Sequence, residues 1–188
     1  MIPDVRVLGI DPGSRTTGWG VVERVGGRLR AVASGVVRSR PDDPMPIRLR
    51  SIHEGLAAVV MLHRPSEAAM EEIFSHRSAA SALVLGQARG VALLAVAALP
   101  VFTYNASTIK KTVSGSGKAE KEQVARMVRT LLGFEGEAPA DETDALAIAL
   151  THVAHHRSGA AVVVAPKARR MSARDQWTAI ALKAGVKA

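Results

Sequence analysis

The run Val5–Ile10 (VRVLGI) is β-branched and apolar and stops abruptly at Asp11-Pro12-Gly13, so a buried strand delivers a carboxylate at its carboxyl end. Ligands of open α/β sheets collect at that edge, which makes Asp11 the first candidate site residue. A second short apolar run, Ala68–Met70, ends at Glu71. With its strand parallel and adjacent to the first, the two carboxylates stand about one strand spacing, ~5 Å, apart. The segment Ala140–Leu150 (ADETDALAIAL) has the pattern of an amphipathic helix. Residues three apart on a helix share a face, so Asp141 and Asp144 point together.

Four ionised carboxylates held close repel one another, and burial raises their pKa values further, so such a group persists where a cation compensates it. Mg²⁺ suits an all-oxygen donor set that includes neither Cys nor His, because it keeps most of its waters and takes substrate phosphate as well. Asp11, Glu71, Asp141 and Asp144 are therefore read as metal ligands, with Mn²⁺ as a substitute. Two ions ~4 Å apart would activate a water and stabilise the leaving oxygen of an in-line phosphodiester displacement.

The order of elements places these acids in one α/β body. Val5–Ile10, Gly20–Val25 and Leu29–Arg38 read as consecutive strands, the last two joined at Gly26-Gly27, a dipeptide suited to a tight hairpin. Apolar residues recur at helical spacing from Ile47 to His63, before Pro65. After the strand into Glu71 come a long Ala- and Leu-rich helix over Ser78–Leu99, a strand over Val101–Tyr104, and one or two helical turns over Ser107–Val113. A helix over Lys118–Leu132 precedes the one carrying Asp141 and Asp144. The expectation is a mixed sheet, an antiparallel meander of three strands plus parallel strands, flanked by helices.

With 188 residues and 47% hydrophobic content the chain is long enough for one domain with a full core. It has no cysteine, which excludes disulfides, zinc–thiolate sites and a cysteine nucleophile. No signal peptide and no long uncharged apolar run stand out, so a cytoplasmic protein without membrane contact is expected. Net charge is +8, of which residues 157–188 carry +6, with seven Lys and Arg against Asp175. That division suggests a domain over 1–156 and a basic tail over 157–188. The tail, with Arg169 and Arg170, reads either as an arm on a phosphate backbone or as a solubilising terminus. Trp177 and Ile180 could alternatively seat a short helix, Ser172–Ala184, on the body. His152, His155 and His156 end the last helix; His152 and His156 have a spacing able to bind metal, but cationic side chains capping a helix C-terminus are the reading adopted.

Five blocks in order, GIDPGSRTTGWG (9–20), EEIF (71–74), ALVLGQARG (82–90), TIKKTVSGSGKAEKEQV (108–124) and DETDALAIA (141–149), resemble the RuvC family of bacterial Holliday-junction resolvases. The resemblance implies a ribonuclease H-like fold and a metal-dependent endodeoxyribonuclease. It also implies a homodimer that binds four-way junction DNA, nicks two strands symmetrically in recombination and repair, and works with a branch-migration complex. It carries over Asp11, Glu71, Asp141 and Asp144 as metal-binding acids. Lys110 and Lys121 match basic residues near the scissile phosphate, although on sequence alone each reads as a solvated helix face. Phe74 matches an aromatic that stacks on bases at the junction centre, against the plain reading of a core phenylalanine. Lys118, which makes its Gly-rich loop more basic than the family pattern, is a candidate DNA contact, and Glu72 stands where the family often has an amide.

Three other readings compete. The Gly9–Ser14 turn resembles the phosphate loop of actin-like ATPases and sugar kinases, but that class encloses its nucleotide between two such domains. A module that binds junctions without cutting them has no use for carboxylates facing phosphates. A related, shorter ribonuclease H-like family acts in RNA processing. Ala79, Ala80, Ala82, Gly86, Ala88 and Gly90 allow two helices to approach closely, which makes Ser78–Leu99 the candidate dimer helix; burial of that helix against its own sheet is the competing reading.

Overall fold

The computed structural model describes residues 4–72, 78–133, 138–156 and 162–163. Its strands are β1 (Val5–Asp11), β2 (Thr16–Val25), β3 (Arg28–Arg38), β4 (Glu67–Glu71), β5 (Val101–Tyr104) and β6 (Val162–Val163). The helices are α1 (Met45–His63), α2 (Ala79–Ala95), α3 (Ala106–Ser114), α4 (Lys121–Leu132) and α5 (Ala140–His155). The sheet order is β3-β2-β1-β4-β5-β6. β1, β2 and β3 pair antiparallel, while β4 joins β1 and β5 joins β4 in parallel. This is the expected mixed sheet of a ribonuclease H-like fold.

Period-two alternation sends neighbouring side chains to opposite faces, and both faces of this sheet are covered. Val7 and Ala69 belong to a core with α3, α4 and α5. Leu8, Ile10, Ala68 and Met70 belong to a second core with α1 and α2. That double coverage explains why β1 is almost continuously apolar. α5 is buried from Thr143 to Val153 except at Asp144, as a helix apolar on nearly every side must be.

Two glycines let α5 lie directly on the strands. A Cβ at Gly9 would fall 2.1 Å from the Ala145 carbonyl oxygen, and one at Gly18 would fall 1.9 Å from that of Asp141. Neither distance is tolerable for a side chain, so glycine at these positions sets how closely the first turns of α5 approach the end of β1.

Local signals account for most boundaries. Asn105 caps α3, its Oδ1 accepting from the Thr108 amide at 2.8 Å, and Ser78 caps α2 in the same way from Ser81. Several boundaries depart from the sequence reading. β2 begins at Thr16 rather than Gly20, because Thr16–Gly18 continue the ladder opposite Val36–Arg38. α2 stops at Ala95 rather than Leu99, since tighter turns (Ala97 amide to Leu94, Leu99 amide to Val96) wind the chain toward Pro100. α4 starts at Lys121 rather than Lys118; a turn from Ser116 buries Ala119 first, and Glu120 is the extended cap residue. α3 is a full nine residues, while α5 ends at His155, within the expected last turn. Beyond the expected domain end at 156, β6 pairs antiparallel with β5. Among the described residues no helix is long and apolar enough to cross a membrane.

The histidine cap is corrected. His152 is 1% exposed, its Nδ1 is 2.7 Å from the Tyr104 hydroxyl and its Nε2 is 2.6 Å from Glu67 Oε2. Burial outweighs Glu67 and holds the imidazole below its ordinary pKa, so it is a neutral core group rather than a cationic cap. With Glu67 ionised, Nε2–H donates to Glu67 and the tyrosine hydroxyl donates to Nδ1, which satisfies both ring nitrogens. His156 reaches the other Glu67 oxygen at 3.2 Å.

Candidate active site

β1 and β4 run in parallel with Ile10 opposite Met70, so Asp11 and Glu71 end adjacent strands at the same edge of the sheet. α5 begins over that edge and presents Asp141 and Asp144 one turn apart. All four acids line one cleft of about 1000 Å³, together with Lys110 of α3 and Lys121 of α4. Asp11, Glu71, Asp141, Asp144, Lys110 and Lys121 therefore converge from five elements. Lys118 does not join them: it is exposed and lies outside the cleft lining. Phe74, Arg169 and Arg170 lie outside the described residues.

The electrostatics are those of a crowded anionic site. Burial, with the negative charges of Asp144, Glu71 and Asp141 around it, pushes the Asp11 carboxyl up to about 7 against the opposing charge of Lys121. Burial and then Asp144 also raise Glu71, against Lys121, Lys110 and Arg89. Lys121 Nζ donates to Asp144 Oδ2 at 3.0 Å, and this hydrogen bond and charge hold the ammonium above its usual range despite some desolvation. The cluster is short of positive charge, and its donors are hard carboxylate oxygens, so a divalent cation such as Mg²⁺ fits. Among the described residues no three His, Cys, Asp or Glu side chains already close into a cage. An ion held here would complete its shell with water and substrate phosphate, as Mg²⁺ does.

Two arginines that the sequence reading passed over brace the cleft. Arg48 of α1 donates through Nε (3.1 Å) and Nη2 (2.6 Å) to the Ser14 carbonyl, holding the loop from Pro12 to Arg15 that forms one wall. Arg89 of α2 donates to the main-chain oxygen of Glu71. A signal for Arg89 was available, since it is the single charged residue between Arg77 and Lys110. A lone charge on an otherwise apolar helix implies a partner. Arg48 lies among several arginines and gives no such signal.

A ribonuclease H-like sheet with acids from two adjacent parallel strands and a covering helix is an arrangement suited to metal-assisted chemistry on a phosphodiester. The sequence profile described as crossover junction endodeoxyribonuclease RuvC matches residues 7–152. The RuvC of Beijerinckia indica is 51% identical over 164 residues, covering 86% of this chain and 94% of that protein. The RuvC of Oleidesulfovibrio alaskensis is 53% identical over 151 residues, covering 79% and 90%. A solved structure, T. thermophilus RuvC in complex with Holliday junction substrate, superposes with a TM-score of 0.79 at 38% identity, covering 85% of this chain and 99% of that one. The yeast mitochondrial Holliday junction resolvase Ydc2, 14% identical with a TM-score of 0.59, shares the fold. The chain belongs to the RuvC family of crossover junction endodeoxyribonucleases.

Proposed function

We propose that this chain is a Mg²⁺-dependent endonuclease that acts as a homodimer on four-way DNA junctions, making paired symmetric nicks. The observation that carries the reading is the convergence of Asp11, Glu71, Asp141 and Asp144 on one cleft with Lys110 and Lys121 on its walls. It is supported by the likeness to a RuvC solved with its junction.

Asp11, Glu71, Asp141 and Asp144 would hold the ions, which when bound supply an activated water and a counter-charge for the leaving oxygen. Lys121 is hydrogen-bonded to Asp144 and 72% exposed, so its ammonium is oriented by the acid yet open toward an incoming phosphate. Such a pre-placed cation stabilises charge that develops only in the transition state. Lys110 is half-buried in the same wall and confines the phosphate from the α3 side.

A two-fold dimer matches the approximate two-fold symmetry of a four-armed substrate, so each subunit needs only one site for two nicks. The exposed side of α2, carrying Leu83, Gly86, Gly90 and Leu94, supports its candidacy as the dimer helix. Ala88 faces the core instead. Junction delivery by a branch-migration complex, and the cytoplasm as the place of action, complete the reading. The test is a time course of nicking on a four-way junction and on linear duplex of the same sequence, with and without Mg²⁺. Nicking of the junction alone, and only with metal, is expected; equal cutting of linear duplex would remove the junction from the proposal.

A further inference from the structure

Glu71 and Glu72 are consecutive carboxylates lining the same cleft, and the ladder by itself does not hold them firmly apart. Pairing of β4 with β1 stops at Met70. On the other side it reaches Glu71 opposite Tyr104, with a last bond from the Glu72 amide to the Tyr104 carbonyl at 2.8 Å. Glu71 is thus supported by the sheet on one side only, at the point where the chain leaves it. Successive side chains of a strand face opposite ways, so a twist of this last peptide would exchange the two carboxylates.

Arg89 supplies the missing restraint. Its guanidinium reaches from the half-buried middle of α2 and donates to the Glu71 carbonyl. The neighbouring residues Ala88 and Ala92 are 0% exposed in the α1–α2 core, so the arginine springs from a rigid base. The negative charges of Glu72 and then Glu71 act on the guanidinium, opposing the lowering caused by its burial.

We infer that Arg89 is a positioning residue that makes Glu71, and not Glu72, the carboxylate offered to the metal site. It ties the Glu71 main chain to α2. The inference deepens the endonuclease reading and rests on it. Arg89 is not among the residues lining the cleft; it acts through Glu71. Supporting groups of this kind typically change metal affinity or activity by about 10–100-fold when removed.

The experiment uses the full-length protein and the variants Arg89→Met, Arg89→Lys, Glu72→Gln and the double variant Arg89→Met/Glu72→Gln. Methionine keeps an aliphatic stem but removes the donors and the charge. Three quantities are read: single-turnover nicking of a four-way junction at saturating Mg²⁺, equilibrium binding of Mn²⁺ by calorimetry, and melting temperature. Arg89→Met is expected to bind Mn²⁺ at least as well as wild type, because a cation has been removed nearby, yet to nick about 10–100-fold more slowly. Glu72→Gln in that background restores part of the rate by removing the competing ligand, and Arg89→Lys retains most of it.

A wild-type rate in Arg89→Met would overturn the inference. So would a slow rate that follows a fall in melting temperature and does not respond to Glu72→Gln, since Arg89 would then only stabilise the helix packing. Failure of the wild-type protein to nick in Mg²⁺ would sink the endonuclease reading and this inference together. Wild-type nicking with an equally fast Arg89→Met sinks the inference alone.

Discussion

The Lys121 ammonium stands 3.0 Å from Oδ2 of Asp144, joining α4 to α5 across the rim of the acidic cleft. With 72% of the lysine side chain exposed, such a pair adds little stability, about 0–1 kcal/mol. Its value lies in orienting a cation where phosphate must enter. Lys121→Ala is therefore expected to leave the melting temperature almost unchanged and to slow nicking by the saturated complex about 10²–10³-fold, the usual cost of losing one pre-placed donor. Stopped single-turnover assays at saturating protein check this. An effect on affinity alone would make Lys121 an ordinary phosphate anchor.

Asp11 gives the metal-free protein a pH dependence of known sign. Its carboxyl is raised from 3.8 to about 7 on folding, so the folded state holds a proton that the unfolded chain releases. The resulting stability is present below pH ~4 and is lost as pH rises through 7. Asp11→Asn removes that loss, and at pH 8 in EDTA the variant should be more stable than wild type by on the order of 1–3 kcal/mol, given about 1.4 kcal/mol per pH unit before screening. Mg²⁺ should raise the melting temperature of wild type more than that of the variant. Thermal melts between pH 5 and 8.5 decide; an Asp11→Asn protein that is less stable at pH 8 without metal would contradict a repelling cluster.

Much of this site was legible before the fold. Asp11 and Glu71 each follow a short apolar run that reads as a strand, Asp141 and Asp144 have helical spacing, and the choice of Glu71 over Glu72 came from the family register; the structure brings all four acids to one cleft. The bracing groups were not legible in the same way, because Arg48 reaches Ser14 and Arg89 reaches Glu71 across the tertiary structure. His152 misled for the same reason: the last turn of a helix favours a cation, but here that turn is covered by Tyr104 and Glu67 of the neighbouring strands. Helix ends such as those at Ala95 and Lys121 depend on turns that tuck Val96 and Ala119 into the core.

The candidacy of α2 as a dimer helix can be tested without damaging the fold. A Cβ at Gly86 or Gly90 meets nothing within 4 Å, so Gly86→Leu should leave the monomer folded and gain up to about 1 kcal/mol of helix propensity. If the exposed side of α2 is the interface, the variant becomes monomeric in light scattering and paired nicking falls more than binding. An intact dimer would place the interface elsewhere.

The basic tail is tested through salt. On duplex DNA, log affinity falls with log salt by about 0.9 for each phosphate contacted, and residues 157–188 carry +6 of the net +8. A chain ending at Ala165, which keeps β6, should bind junctions more weakly with a shallower salt slope and nick normally at saturation. Unchanged slopes with a lowered melting temperature would assign the tail to stability.

The central claim is that the four-acid cleft is the nicking site, and Glu71→Gln tests it most directly. The change removes one charge from the end of β4 while keeping the size of the side chain. Single-turnover nicking of a four-way junction in Mg²⁺, with junction affinity measured in parallel, should show cleavage abolished and binding equal to or tighter than wild type. Cleavage by Glu71→Gln at near the wild-type rate would contradict the account.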